Sequence, residues 1–320
     1  MPTSSAVVAI DIGGTTLKGA VFNSSGVMVC RRQIGTFSVD DEALPGIQAL
    51  TRALRNDASA AGAEIEGIGL ASPGVIDSSA GQVVYAANLH WEELNLSEII
   101  EAEFRVPVRL EHDARAGAIA EQAAHPEERS RYRNFIFVPI GTGLSGAVVT
   151  GGSLVYGARS SAGEFGHMPI VPSGAVCSCG GRGCIEAYAS ATTVLNRYKM
   201  RGGKNATSTP QLVSLLNIDS DAQAVWSELV EALALGLSSL SAVLDPDCIV
   251  IGGGLSLAGE TLLSPLRLAV AEKLPWRPAP VVLQSALGSD AGLIGAGIVA
   301  RDRSPGGRSV FAQAAIPKRP

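Results

Sequence analysis

The feature that most constrains this chain is a unit that occurs twice. A short apolar strand runs into a Gly/Thr-rich turn and out again as a second strand. AVVAIDI at 6–12 enters Gly13-Gly14-Thr15-Thr16 and leaves as LKGAVF at 17–22. FIFVPI at 135–140 enters Gly141-Thr142-Gly143 and leaves as GAVVTG at 146–151. Apolar runs of this length, cut off by glycine, read as buried strands. The likeness of the two halves is compatible with a duplicated domain around a cleft.

Strands and helices alternate through the rest. A third strand at 27–34 follows Asn23-Ser24-Ser25-Gly26 and completes an antiparallel meander. Leu44, Ile47, Leu50 and Leu54 recur at helical spacing and predict an amphipathic helix. A strand at 65–71, a helix at 96–104 and a strand at 108–112 complete a first α/β unit. The second unit continues with helices at 221–244 and 259–273, strands at 248–254 and 281–287, and a last helix from Ala291. The expected division is a small α/β domain at 1–115, completed by the helix at 291–303, and a larger one at 116–290. The Pro/Gly/Arg-rich stretch 304–320 reads as a flexible tail.

Composition excludes several classes. Hydrophobic residues are 46% of 320, enough for a sizeable core and too many for a disordered chain. The 37 glycines show no G-X-Y period, so collagen is excluded. A net charge of −5 offers no basic surplus for a nucleic-acid backbone. The apolar run at 6–10 stops at Asp11 and is neither signal peptide nor anchor. Glu228 and Glu231 interrupt the longest apolar helix, which argues against a membrane partner. The expectation is a cytoplasmic protein.

The segment Asp11 to Lys18 allows two readings. It is a hairpin turn whose glycines supply positive φ. Or it is a phosphate-binding turn, with bare N–H groups approaching an anion, hydroxyls from Thr15 and Thr16, and Asp11 acting through Mg²⁺. Gly141-Thr142-Gly143 offers a second such turn. The run from Gly141 to Gly146 spells G-x-G-x-x-G, but a strand follows where a dinucleotide site needs a helix. Gly252-Gly253-Gly254 suits either an adenosine lying on bare backbone or close strand–helix packing.

The most specific local signal is His167-x9-Cys177-x-Cys179-x4-Cys184. Three thiolates and an imidazole are a ligand set for structural Zn²⁺. Three of the five cysteines fall within eight positions, among Gly180, Gly181 and Gly183, which suit a loop wrapping a metal. Asp113, between a strand and an Ala-rich helix, suits both a helix cap and a ligand site at a strand end. Glu164, His167 and Glu186 add acceptors suited to vicinal sugar hydroxyls.

Together these segments resemble the ROK family of sugar kinases and repressors, within the actin-like ATPase superfamily. They occur in family order: DIGGTTLKG, GLASPGVID, EHDARAGAIAE, GTGLSGAVVTGG, AGEFGHM, CSCGGRGCIE, IVIGGG and AGLIGAG. The resemblance implies a two-domain α/β actin-like ATPase (ribonuclease H-like) fold with an interdomain cleft. It implies ATP-dependent phosphorylation of a hexose at its 6-hydroxyl, glucokinase-like, with Asp113 as general base. Gly74, Asn88, His112, Glu164, His167 and Glu186 would contact the sugar. Asp11, Gly13, Gly14, Thr15, Thr16, Lys18, Thr142, Gly143, Gly253 and Gly254 would serve ATP and Mg²⁺. His167, Cys177, Cys179 and Cys184 would hold Zn²⁺. A homo-oligomer, dimer or tetramer, is implied as well.

The chain departs from the family at His112, where most ROK kinases carry Asn, and this bears on sugar choice. Two alternatives stand beside the glucokinase-like reading. One is an N-acylhexosamine kinase, for N-acetylmannosamine or N-acetylglucosamine. The other is a ROK sugar-sensing regulator without its DNA-binding domain, since the first strand begins by Ala6 and leaves no room for a helix-turn-helix. A sugar binder that has lost catalysis is disfavoured by the retained Asp113.

Overall fold

The computed structural model describes residues 4–301. The tail expected at 304–320 lies outside the described residues. The chain divides into two compact units. Unit 1 holds the chain to Glu127, then Tyr156–Ser161, then the chain from Asp290; unit 2 holds Glu128–Val155 and Ala162–Ser289.

Unit 1 opens with β1 (Ser4–Ile12), β2 (Thr16–Asn23) and β3 (Met28–Gly35), the expected meander. Helix α1 (Ala43–Ala60) follows, and β4 (Ala63–Ser72) returns parallel to β1. A three-stranded antiparallel sheet comes next: β5 (Val75–Asp77), β6 (Gln82–Ala86) and β7 (Trp91–Leu94). The sequence shows no strand pattern over this stretch. These strands are three to five residues long and carry no extended alternation, so periodicity alone gives little to read. Helix α2 (Leu96–Phe104), β8 (Val108–His112) and α3 (Asp113–Ala124) complete this part.

The main sheet has the order β3-β2-β1-β4-β8, with β1, β4 and β8 parallel. Strand β1 lies at its centre, which is why Val7 to Ile10 are all fully buried and the run is continuously apolar. Helix α1 covers one face through Ile47, Leu50 and Leu54, the residues whose spacing predicted it.

Unit 2 holds a second sheet of the same plan. Its strands are β9 (Phe135–Pro139), β10 (Ala147–Thr150) and β11 (Ser153–Leu154), an antiparallel meander. Short helices α4 (Glu186–Ala189), α5 (Ala191–Met200) and α6 (Thr209–Ser214) lead to the long α7 (Ser220–Leu244). Strand β12 (Cys248–Gly252), helix α8 (Glu260–Glu272) and strand β13 (Val281–Gln284) close the unit in the order β11-β10-β9-β12-β13. Asp219 caps α7 by accepting from the backbone N–H of Asp221 and Ala222. Among the described residues α7 is the one helix long and apolar enough to cross a membrane, and half of its most apolar window is buried. Its buried face, including Val225, Leu229 and Leu233, belongs to the core of unit 2.

The last helix, α9 (Ala291–Val299), returns to unit 1 and packs against α3 and across β1 and β4. The division expected at residue 115 therefore falls inside α3, which stays with unit 1 through Glu127. The reason is a backbone-to-backbone approach. A Cβ placed on Gly295 would stand 1.9 Å from the Ala116 carbonyl oxygen, and one on Gly69 equally close to that of Ala296. A side chain at either position would force α9 off its seat. Gly295→Ala is expected to lower the unfolding free energy by about 1–3 kcal/mol, the cost of overpacking a core that fits closely. Denaturant unfolding of the variant beside the wild type measures this, and an unchanged midpoint would refute the packing argument.

Candidate functional site

In unit 1 the polar residues collect where the parallel strands leave the sheet. Asp11 on β1 is paired in register with Ala71 on β4, and Ser72 on β4 with His112 on β8. Asp11, the β4–β5 turn and Asp113 therefore stand along one edge, at the C-terminal ends of parallel strands, where open α/β sheets bind ligands.

The turn between β1 and β2 is closed by the Gly13 N–H donating to the Thr16 carbonyl at 3.0 Å. Thr36, itself buried, buttresses it from behind. Its hydroxyl donates to the Gly13 carbonyl at 2.6 Å and its N–H to the Thr15 carbonyl at 3.1 Å. Neither Gly13 nor Gly14 has positive φ, so the hairpin reading based on that conformation does not hold. Glycine is needed here for space, because a Cβ on Gly13 would lie 2.8 Å from the Thr16 carbonyl oxygen. Asn88 borders the same turn, with its Cβ 3.6 Å from the place a Gly14 Cβ would take. Gly74 does need its unusual backbone: φ is +98°, and a Cβ there would stand 2.3 Å from the Tyr85 carbonyl oxygen.

Asp11 and Lys18 face each other across β1 and β2, 3.6 Å apart. Burial pushes the Asp11 carboxyl up to about 6; Lys18 pulls it down, and the Asp113 and Asp290 carboxylates push it up again. A half-buried carboxylate within reach of two others is an arrangement that a cation would relieve.

Asp113 is the first residue of α3 rather than its cap; the cap position belongs to His112. One carboxylate oxygen of Asp113 accepts the Ala114 N–H at 2.6 Å and lies 3.3 Å from His112 Nε2. The Asp113 side chain is 32% exposed and the His112 ring only 2%. The resemblance implies a sugar contact at this position; the His112 ring is buried, with Nε2 facing Asp113.

A buried ion pair lies beneath these two residues; no helical spacing signals it in the sequence, because Glu111 is on β8 and Arg115 on α3. Arg115 Nε donates to Glu111 Oε1 at 2.6 Å, and its other nitrogens donate to the carbonyls of Ile76 and Ser160 at 3.0 Å. Glu111 also accepts from the Ser78 hydroxyl at 2.8 Å, its neighbour's N–H on His112 at 2.7 Å and the Tyr156 hydroxyl at 3.0 Å. The Arg115 guanidinium lies over the Tyr156 ring, 4.9 Å from its centre. One Arg–Glu pair thus fixes β5, the segment 156–161 and the start of α3 together.

In unit 2 the second turn and the triple glycine meet at the ends of β9 and β12. The Gly141 N–H donates to the Gly143 carbonyl at 2.9 Å, and Ile140 is bridged to Gly252 and Leu255 by backbone hydrogen bonds of 3.0 Å. Thr142 is exposed, and the space around a Gly254 Cβ is open. Glu186, expected on the sugar, accepts the Leu144 N–H at 2.8 Å and the Ser178 hydroxyl at 3.1 Å. Glu164 immediately precedes the short helix Phe165–His167 and accepts the His167 N–H through its carbonyl at 3.1 Å.

The ligand atoms of His167, Cys177, Cys179 and Cys184 all lie within 4.8 Å of one another. His167 Nδ1 is 3.6 Å from the Cys177 sulfur, and the sulfurs of Cys179 and Cys184 are 3.8 Å apart. Burial and the neighbouring thiols push Cys184 up to about 12, while a backbone hydrogen bond from Gly181 holds Cys179 down.

The ROK family model matches residues 7–303. The chain belongs to the ROK family. It is 30% identical to a glucokinase of Streptomyces coelicolor, over 93% of this chain and 98% of that one. It is 32% identical to a glucokinase of Halalkalibacterium halodurans, over 91% and 93% of the two chains. Among solved structures it is similar to a ROK family glucokinase from Streptomyces griseus in complex with glucose and AMPPNP. The TM-score there is 0.81 at 29% identity, covering 92% of this chain and 99% of that one. The mixed α/β fold of this ROK protein is that of the actin-like ATPases.

The elevated Asp11 carboxyl makes stability depend on pH. A carboxyl that holds its proton more tightly folded than unfolded stabilises the fold below its ordinary value of 3.8, and that contribution is lost as the pH rises through 6. Such a displacement corresponds to about 3 kcal/mol. Asp11→Asn carries no titrating proton there, so its stability relative to the wild type should grow by about that amount between pH 4 and pH 8. Chemical unfolding without Mg²⁺ or nucleotide checks this; a difference independent of pH would show that Asp11 titrates normally.

Proposed function

We propose that this ROK protein transfers the γ-phosphoryl group of ATP to the 6-hydroxyl of a hexose of the glucose class. One observation carries the reading: an accessible Asp113 carboxylate on the same strand-end edge as Asp11 and the Gly13–Thr16 turn. Glucokinases related along nearly the whole chain support it.

In this reading Asp113 takes the proton from the attacking hydroxyl as the bond to phosphorus forms. Phosphoryl transfer otherwise depends on positioning and on neutralising charge. Gly13, Gly14, Thr15, Thr16, Thr142 and Gly143 hold phosphates through backbone N–H groups and hydroxyls. Gly253 and Gly254 border the adenosine, Lys18 orients Asp11, and Asp11 serves Mg²⁺. Bound Mg²⁺ supplies the charge neutralisation that the phosphates require. Gly74, Asn88, Glu164, His167 and Glu186 contact the sugar. His112 orients Asp113, since a neutral imidazole can donate from Nε2 to the carboxylate.

Asp113→Asn is expected to keep hexose affinity and to cut turnover about a hundredfold or more. His112→Asn should lower kcat while leaving the relative kcat/KM for glucose, mannose, glucosamine and their N-acetyl forms unchanged. A coupled assay of ADP release over these sugars reads both variants. Near-normal turnover of Asp113→Asn would remove it as the base, and altered sugar ratios in His112→Asn would put that ring on the substrate. Wild-type activity confined to N-acetyl sugars would replace the glucose class with N-acylhexosamines.

The His167, Cys177, Cys179 and Cys184 cluster fits structural Zn²⁺. Zn–S bonds of about 2.3 Å in a tetrahedron place sulfurs ~3.8 Å apart, the spacing of Cys179 and Cys184. Four protein ligands leave no position for substrate or water. Elemental analysis should find one zinc per chain, and protein purified without chelator that holds none would overturn this assignment. ATP as co-substrate supports a cytoplasmic location. The family supports a homo-oligomer, which light scattering would test.

A further inference from the structure

The zinc loop and the Gly141–Leu144 turn are joined by one side chain. Glu186 uses one carboxylate oxygen for the Leu144 N–H, at 2.8 Å, and the other for the Ser178 hydroxyl, at 3.1 Å. Ser178 stands between two members of the metal-ligating cluster, Cys177 and Cys179. The carboxylate sits so close under the turn that a Cβ on Gly143 would lie 2.7 Å from its oxygen. A side chain at 143 would push that oxygen aside.

The same segment grips the turn a second time. The Ala191 N–H donates to the Gly141 carbonyl at 2.8 Å. Between the two grips the segment is rigid: Ser190 and Thr193 form a capping box at the start of α5, and the Thr193 hydroxyl reaches back to the Glu186 carbonyl at 2.8 Å. The turn is therefore held at Gly141 and at Leu144, with Thr142 and Gly143 left between the two clamps. A negative charge beneath a phosphate-binding turn would repel the phosphate by itself. Its value here lies in fixing where the backbone donors point.

We propose that Glu186 is a positioning residue through which the zinc loop sets the shape of the Gly141–Leu144 turn, so that an intact metal loop is required for tight nucleotide binding. The proposal rests on the reading of that turn as a holder of ATP phosphates. It is compatible with a sugar contact, because a carboxylate has about four acceptor sites and the two hydrogen bonds here leave others available.

The test is calorimetric titration of full-length protein with Mg²⁺ and a non-hydrolysable ATP analogue, in the absence of sugar. Glu186→Ala should raise the Kd about tenfold or more, and Ser178→Ala about three- to fivefold, by loss of charge-assisted hydrogen bonds. Glu186→Gln should stay within about threefold of the wild type, because its amide can accept from Leu144 and donate to Ser178. Zinc content should be the same in all four proteins. Removing the metal with a chelator should weaken binding in the wild type and add little in Glu186→Ala, since both act through one link.

Should Glu186→Ala fail to fold, Ser178→Ala carries the test; its hydroxyl also lies 3.9 Å from the Cys177 sulfur, so an unchanged zinc content is the control that separates the two contacts. Wild-type binding with both alanine variants unaffected overturns the link alone. A chelator effect as large in Glu186→Ala as in the wild type does the same. Failure of the wild type to bind the analogue overturns the kinase reading and the link with it.

Discussion

Everything proposed for unit 1 depends on how its buried central strand ends. From Val7 to Ile10, β1 is sealed on both faces, and the first ionisable residue comes where the strand leaves the sheet. Parallel pairing fixes the register of β4 and β8 against β1, so the position of Asp11 also fixes the positions of Ser72 and Asp113. A slip of one residue would exchange the side chains packed on the two faces and move Asp11 off the rim. The apolar core thus determines the geometry of the polar edge. The elevated Asp11 carboxyl is the electrostatic cost of putting charge at the rim of that core.

The Glu111–Arg115 pair serves a different end from the apolar packing around it. Two charges taken out of water gain little net stability even when paired well, because desolvation offsets the attraction. What this pair does provide is a fork that joins segments distant in sequence. Arg115 reaches Ile76 and Ser160, and Glu111 reaches Ser78 and Tyr156. All of these bonds converge on the first turn of α3, where Asp113 stands. The arrangement favours a fixed position for Asp113 over stability of the fold.

Unit 2 solves the equivalent problem with little regular structure. Its loop from His167 to Glu186 is held by isolated bridges, Pro169 with Cys184 and Val176 with Arg182, and by tight glycine turns. Cys177 and Cys184 form a small buried cluster with Ala187, and Ile185 joins the core of unit 2. Four ligands on one zinc ion, as proposed, would add a further constraint, with Glu186 as the link to the neighbouring turn.

The sequence by itself determined the longer strands of the two main sheets, the two Gly/Thr turns, the amphipathic α1 and the His/Cys cluster. Each is a local pattern: an apolar run, a glycine stop, a period of 3.6, a ligand spacing. It did not show β5 to β7, whose short strands carry too little pattern, or that α3 remains with unit 1, which depends on bare backbone at Gly295 meeting Ala116. Thr36, Ser178 and the Arg115 fork were invisible for the same reason, since their partners lie far along the chain or across a fold-back. The family resemblance implies sugar contacts for His112 and Glu186. The tertiary structure adds that one faces Asp113 from a buried position and that the other also bonds Leu144 and Ser178. Which of its hydrogen-bonding groups a side chain spends on the protein is decided by its neighbours in space, and local sequence does not encode them.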